Sequence, residues 1–508
     1  MFASVLTAAI RGMEVTPIEV EADVSDGLPS FIMVGYAASQ VKEAQDRVRT
    51  ALRNTGIYLP PKRITVNLAP ADIRKESSGF DLPVAIAILA AAGMIEEKYL
   101  HGGMFMGELS LSGEVQAISG VLARVIRARE LGCSYCVIPE GNLREASLVK
   151  DITVLGVSDL REAMDFIRDP ELYAHERHHY EQEEVHKEPD LDFSEIYGQE
   201  GAKRAAEIAV AGFHNLLFIG PPGVGKTMIA KRIPTIMPPL TFEESLELTK
   251  IYSIAGLLTE GDPLIRIRPF RSPHHTSTAQ SLAGGGRIPH PGEITLAHRG
   301  VLFLDEIAEF SRHTLEIMRQ PLEEKMICIS RASGSYTFPA DFMLVASTNP
   351  CPCGYYPNME KCKCTQAEVH HYLGKISRPL LDRIDLCADI PETSYEDLQD
   401  KAAQETSEEI RKRVVAAREL QRKRYEGYGI LCNSELHGKQ MDEFCVLSPE
   451  ASKLIKSAFE RMQLSMRSYH RVLRVSRTIA DLDHSDRIEC EHLAEALSYR
   501  GLDRKYWA

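Results

Sequence analysis

The sequence predicts an α/β protein whose last quarter is all-helical, on three observations. Short apolar runs alternate with helix-period segments from residue 1 to about 391. One of those runs leads directly into a glycine-rich loop followed by a helix-period segment, so a parallel strand–loop–helix unit is expected there. Beyond about residue 392 the strand-like runs stop and only helical spacing remains. The chain has 508 residues, which at roughly 150 per domain sets a prior of about three domains. Hydrophobic residues are 44% and charged residues 26%, enough apolar material for large cores and too much for a disordered chain.

Residues 1 to 167 form the first α/β unit. Ile64 to Leu68 has a strand pattern, and Val41 to Leu52 puts Val41, Ala44, Val48, Ala51 and Leu52 on one helix face. Leu82 to Ile95 is the longest apolar stretch; a membrane span needs about 20 residues, so it is expected to be a buried core helix. Gly113 to Gln116 predicts a turn and a strand. Val121 to Glu130 predicts a helix ending near Gly132, and Tyr135 to Ile138 a buried strand bounded by Pro139. Residues 168 to 191 are rich in Glu and His and read as a solvated linker, the histidines near His175 to His179 included. A second α/β unit is expected over 192 to 391. A helical domain over 392 to 508 follows, with a charged helix at Ser407 to Tyr425 and two or three more helices.

The chemistry concentrates in the second unit. The apolar run Asn215 to Ile219 enters Gly220, Pro221, Pro222, Gly223, Val224, Gly225, Lys226 and Thr227, which matches G-x-x-x-x-G-K-T. Glycines there let backbone N–H groups turn inward and cradle phosphate oxygens, and the following helix adds its positive end. Lys226 is expected on the β- and γ-phosphates of ATP, and Thr227 on Mg²⁺. About 80 residues on, Val301 to Leu304 is an apolar strand ending in Asp305 and Glu306, which suits Asp305 to the same Mg²⁺ and Glu306 to the attacking water. A third strand over Phe342 to Thr348 ends in Asn349, an amide suited to orienting that water beside the γ-phosphate. Arg383 is the candidate arginine finger for a neighbouring subunit's nucleotide. Arg467, on a helix it shares with Arg471, Arg474 and Arg477, is the candidate phosphate contact from the helical domain.

With these residues in place the sequence resembles the YifB/ComM family of magnesium-chelatase-like AAA+ ATPases. The resemblance rests on the stretches Ile196 to Ala206, Pro269 to Thr276, Asn349 to Gly354 and Arg477 to Leu482, and covers essentially the whole chain. It implies a P-loop AAA+ three-layer core of the helix-2-insert clade, shared with the chelatase ATPase subunit and the MCM helicases, and a C-terminal helical lid. It also implies nucleotide-dependent homo-hexamers and, for the ComM branch, DNA helicases that drive branch migration during natural transformation. The N-terminal unit is similar to the Lon protease α+β domain through Gly107 to Gly120. The Lon-type nucleophile position falls on Gly79, with Ser77 and Ser78 beside it, and the matching helix offers Arg124 instead of a lysine. A Ser–Lys mechanism needs a neutral amine, which a guanidinium does not supply, so the domain is expected to be non-proteolytic.

Eleven cysteines and no basic, apolar leader point to a reducing cytoplasm. Cys351, Cys353, Cys362 and Cys364 form two close pairs suited to a structural Zn²⁺, though C-x-C is tighter than the common spacing. Cys133 and Cys136 read as core residues. The net charge is −13, so single-stranded or branched DNA is expected to meet only a local basic surface. The candidates are Arg266, Arg268, Arg271, His274, His275 and Arg287 of the insert, with Arg331 on a hairpin over Ile327 to Phe338 lining a ring pore. The basic helix carrying Arg411, Arg413 and Arg424 also carries acids and is as readily a salt-bridged face. A chelatase-type motor and a protein-remodelling ATPase are the competing readings.

Overall fold

A computed structural model describes residues 1–35, 39–71, 79–168, 191–258, 263–286, 289–331, 334–392 and 404–507. The linker histidines, Ser77, Ser78 and Arg287 lie outside the described residues.

The N-terminal unit is a seven-stranded mixed sheet. Its order is Ser30–Val34, Arg63–Ala69, Glu14–Ser25, Phe2–Arg11, Gly103–Phe105, Tyr135–Pro139 and Thr153–Val157. The two longest strands pair antiparallel in register from Phe2 opposite Asp23 to Arg11 opposite Glu14. The expected helices at Ser39–Asn54 and Val121–Glu130 are present, and Val48, Ala51 and Leu52 are fully buried. The apolar stretch beginning at Leu82 is a core helix, but it spans Asp81–Ala91 and does not continue to Ile95. Gly93, at φ +77° just past its end, adopts the left-handed conformation that closes helices, and every residue of the helix is buried. Its first residue, Asp81, is buried without being isolated: Arg47 donates to both carboxylate oxygens at 2.8 and 3.0 Å.

The second sheet has five parallel strands in the order Phe270–Arg271, Val301–Leu304, Met343–Thr348, Leu216–Ile219 and Leu386–Asp389. The three central strands are buried at every position, which is why they read as unbroken apolar runs and not as alternating ones. Strands Met326–Arg331 and Gly334–Pro339 form the expected hairpin. Helix Phe242–Ala255 joins the two units: Gly120 donates its amide to the Ser253 carbonyl at 2.9 Å, and the Ser253 hydroxyl donates to buried Glu145 at 2.5 Å.

The C-terminal part is helical, with the charged helix at Ser407–Arg424. Four helices follow it, more than the periodicity separates: Lys439–Phe444, Pro449–Met462, Met466–Leu482 and Cys490–Trp507. Three of the charged helix's basic side chains pair with acids: Lys412 with Glu408, Arg413 with Glu405 and Glu207, Arg424 with Asp481. Asp481 is fully buried and also accepts from Arg477 at 3.1 Å and from the Asn433 amide at 2.9 Å. Two guanidiniums therefore depend on one carboxylate for compensation. Asp481→Asn leaves both short of counter-charge, at a cost of about 3–5 kcal/mol. The expected result is a lower urea midpoint for the helical domain, read from Trp507, the single tryptophan, whose indole N–H donates to the Leu373 carbonyl.

Candidate functional site

Parallel register brings the chemistry together. Ile219 lies opposite Thr348, and Leu304 opposite Ala346, so the residues that follow each strand emerge at one edge of the sheet. Those residues are Gly220, Asp305 and Asn349.

The loop 220–225 needs its glycines for two different reasons. A Cβ at Gly220 would sit 2.3 Å from the Ile390 carbonyl of the neighbouring strand end. Gly223 and Gly225 have open space around them but adopt φ of +81° and +91°, which any side chain would strain. Lys226 then opens the helix Lys226–Ile236. Its ammonium is buried and donates to the carbonyls of Gly220 and Pro221 at 2.7 Å each and to Asn349 Oδ1 at 3.0 Å. Burial pushes its pKa down to about 8 against the pull of Asp305 and Glu306. These three acceptors hold the lysine at the mouth of the loop.

Thr227 donates its hydroxyl to Asp305 Oδ2 at 2.8 Å. A hydroxyl and a carboxylate oxygen in contact at a strand end are the donor set that suits Mg²⁺, a hard cation that takes few protein ligands and leaves room for phosphate oxygens. Glu306 is held in the left-handed region at φ +50°, unusual for a residue with a side chain. Its conformation is fixed by Ser347, whose hydroxyl accepts from the Glu306 amide at 3.1 Å and donates to Asp305. Ser347 is fully buried and was missed by sequence reasoning, since a serine within an apolar strand carries no motif. Its place one residue across from Leu304 was the only available hint, and that needs the register.

The two arginines are not in this cluster. Arg383 precedes the strand Leu386–Asp389, and its carbonyl accepts from Asn215 Nδ2 at 2.8 Å, at the start of the strand that ends in the phosphate loop. It therefore lies at the opposite edge of the sheet from its own loop. Its guanidinium donates to the Pro379 carbonyl and pairs with Glu323. Arg467 is exposed in the first turn of Met466–Leu482. One turn on, Arg471 is buried and bound to the carbonyls of Leu381 and Ile384 at 3.0 and 2.8 Å, beside Arg383. Arg474 and Arg477 are likewise bound within the chain.

The basic insert needs correction. Arg268 is a structural residue, bonded to the Pro238 and Arg299 carbonyls and to Glu244, and Arg271 forms a two-pronged pair with Glu293 at 2.6 and 2.8 Å. Arg266 also has interactions within the chain. Arg268 and Arg271 are already compensated by protein carboxylates, which sequence spacing does not reveal. Arg331, at the hairpin tip, is exposed, as is His274, whose ring lies tilted beside His275 with centroids 4.1 Å apart.

The sulfur atoms of Cys351, Cys353, Cys362 and Cys364 all lie within 4.8 Å of one another, with recorded separations of 3.3, 3.5 and 3.8 Å. Zn–S bonds of about 2.3 Å put the corners of a tetrahedron about 3.8 Å apart, so four thiolates here fit such an ion. Gly354, at φ +86°, packs against the phosphate loop: a Cβ there would come 2.5 Å from Pro222 Cδ. Cys133 and Cys136 are buried core residues, as expected. In the N-terminal unit, a Cβ at Gly79 would lie 2.7 Å from Ile118 and 3.9 Å from the Arg124 guanidinium. Arg124 is buried and donates to the carbonyls of Ala8 and Ser119. The place of a nucleophile and its base is thus filled by an apolar contact and a bound guanidinium.

Comparison with known proteins covers nearly the full length. Residues 192–398 match the family described as magnesium chelatase, subunit ChlI. Residues 20–142 match subunit ChlI of Mg-chelatase, and residues 404–500 match the ChlI C-terminal family. The YifB protein of Salmonella typhimurium is 40% identical over 503 residues, covering 99% of this chain and 97% of that protein. Competence protein ComM of Haemophilus influenzae is 41% identical over 505 residues, 99% of this chain and 98% of that protein. Lon protease 2 of Bacillus subtilis is 28% identical over 183 residues, 32% of this chain and 33% of that one. Among the described residues no helix is long and apolar enough to cross a membrane.

Ser347→Ala takes a donor from Asp305 and leaves the Glu306 amide without its acceptor. The expected loss is about 1–2 kcal/mol of stability, read as a lower urea midpoint by circular dichroism. An unchanged midpoint would count against Ser347 as the residue that fixes both acids.

Proposed function

The chain belongs to the magnesium-chelatase-like YifB/ComM family, and on that premise we propose that it is an ATP-driven, ring-forming DNA motor that remodels branched recombination intermediates. The observation that carries this reading is the placement of Arg383. The phosphate loop, Asp305, Glu306 and Asn349 gather at one edge of the sheet, while Arg383 is anchored at the other. A single chain then holds a nucleotide site and, on its far side, a cation for a neighbour's nucleotide. That is the arrangement of a closed ring of identical subunits, taken here as a hexamer. The 41% identity to a competence protein supports recombination intermediates of DNA uptake as the substrate, and the cytoplasm as the compartment.

In this reading Lys226 and the loop amides bind the β- and γ-phosphates, and Thr227 and Asp305 hold Mg²⁺. Bound there, the metal neutralises charge on the phosphates. Glu306 accepts the proton of the attacking water, and Asn349 orients that water. Arg383 trades Glu323 for the adjacent subunit's γ-phosphate, and Arg467 meets phosphate from the lid. The working units are a non-proteolytic tier over 1–167, a linker over 168–191, an ATPase core over 192–391 and a lid over 392–508. DNA passes the exposed hairpin arginine, Arg331. The four cysteines bind a structural Zn²⁺ that braces the phosphate loop through Gly354 and Pro222.

A chelatase-type motor is the second reading, and one observation favours it: all three matching families carry the name of a chelatase subunit. ATP hydrolysis separates the two. The DNA motor is stimulated by single-stranded or four-way-junction DNA and migrates the branch; absence of both effects ends that reading. Glu306→Gln should lower hydrolysis by about a hundredfold while retaining ATP, and an unaltered rate refutes Glu306 as the base. For the cysteines, one zinc per chain is expected by elemental analysis, lost together with several degrees of melting temperature in Cys351→Ser and Cys362→Ser. Metal-free protein with the same melting temperature as the variants would overturn the zinc site.

A further inference from the structure

The N-terminal sheet ends in an edge strand, Ser30–Val34, and a cavity of about 480 Å³ opens between that strand, the last turns of helix Ser39–Asn54 and the segment 57–62. Its composition is unusual for a chain of net charge −13. Arg49, Arg53 and Lys62 line it, and among the described residues no carboxylate does. Arg49 and Arg53 are four residues apart, one helical turn or about 6 Å, on the flank next to the buried stripe of Val48 and Leu52. Both are exposed, and among the described residues neither has an ion-pair partner. Lys62 pairs only with Asp26, at 3.0 Å, in a contact whose side chains are 46% and 92% exposed. The remaining wall is flat and apolar: Phe31, the exposed ring of Tyr58, and prolines 29, 60 and 61.

Arginines in a last turn also compensate the negative end of a helix. That accounts for Arg53, the basic residue in the last turn, but not for Arg49 or for an open cavity with aromatic walls beside them. Cations set one turn apart along an apolar, aromatic-walled cavity match a strand of nucleic acid: phosphates on the guanidiniums, a base on the ring. The volume is that of a small-molecule pocket, enough for a base.

We propose that this cavity is a second DNA site, which binds a single-stranded segment outside the ATPase core through Arg49, Arg53 and Lys62 on its phosphates and Tyr58 and Phe31 on its bases. The proposal rests on the DNA-motor reading for its ligand class. It assigns to the degenerate protease-like tier a substrate-holding role that needs neither a nucleophile nor ATP.

The test is fluorescence anisotropy of a fluorescein-labelled dT20 strand with the full chain over a range of salt. Arg49→Ala/Arg53→Ala should weaken binding about tenfold and lower the slope of log affinity against log salt by about 1.4, two phosphates at about 0.7 each. Tyr58→Ala should weaken binding about tenfold with an unchanged salt slope, because stacking releases no counterions. Both variants should retain DNA-free ATP hydrolysis and melting temperature, which marks the loss as one of binding and not of folding. Wild-type protein that binds dT20 while the double variant binds it equally overturns this site and leaves the motor reading intact. Wild-type protein that binds no dT20 overturns both. Oligoglutamate binding that both variants lose, with dT20 binding retained, assigns the cavity to an acidic protein segment and likewise overturns the proposal.

Discussion

The register of three buried parallel strands is the constraint on which the site depends. Leu216–Ile219, Val301–Leu304 and Met343–Thr348 are each apolar and fully buried, and hydrogen bonding fixes them so that their last residues align. A slip of one residue would turn Ser347 away from Asp305 and Asn349 away from Lys226. With the register held, one buried hydroxyl serves two acids. Ser347 orients the Asp305 carboxylate and pins the left-handed backbone of Glu306. Lys226 is likewise held by carbonyls and by Asn349 rather than left to solvent, so little side-chain freedom remains to be lost at the moment of binding.

The opposite edge of the same sheet is organised by charge. Asp385 is buried and held well below the usual carboxylate range, its burial outweighed by His214, Arg474 and Arg471. Arg471 reaches past it to the Leu381 and Ile384 carbonyls, so the helix Met466–Leu482 is bolted to the turn that carries Arg383. That helix and the turn that carries Arg383 are thereby held together, and Glu323 pairs with the guanidinium. The last helix closes the circuit on the other side, where Lys505 and Tyr506 reach Asp389 and Trp507 reaches Leu373.

The N-terminal tier is coupled to both. Ser253 and Glu145 tie it to the core, and the turn between its two longest strands touches the hairpin: the Arg11 guanidinium lies 5.7 Å from the centre of the Tyr336 ring. In that tier Gly79 packed on Ile118 and Arg124 bound to two carbonyls fill the place of a nucleophile and its base.

Much of this was legible in the sequence. Strand and helix positions followed from periodicity because central parallel strands are apolar throughout and surface helices are apolar on one face. Lys226, Thr227, Asp305 and Glu306 stood out because a glycine-rich loop of fixed backbone shape and an apolar strand ending in two acids each leave a contiguous signature. The four cysteines did so because their two close pairs lie at short spacings. What the sequence left open was every relation set by atoms far apart along the chain. Ser347 has no motif; only register puts it on Asp305. Arg268 and Arg271 look like free cations until Glu244 and Glu293, 22 to 24 residues away, neutralise them. Arg383 was expected to serve a neighbouring subunit's nucleotide, but only the sheet shows on which edge it stands and that Glu323 holds it. Local chemistry was thus settled by the residues themselves, and pairing, burial and sidedness were settled by packing, because those are properties of distances that no window along the chain contains.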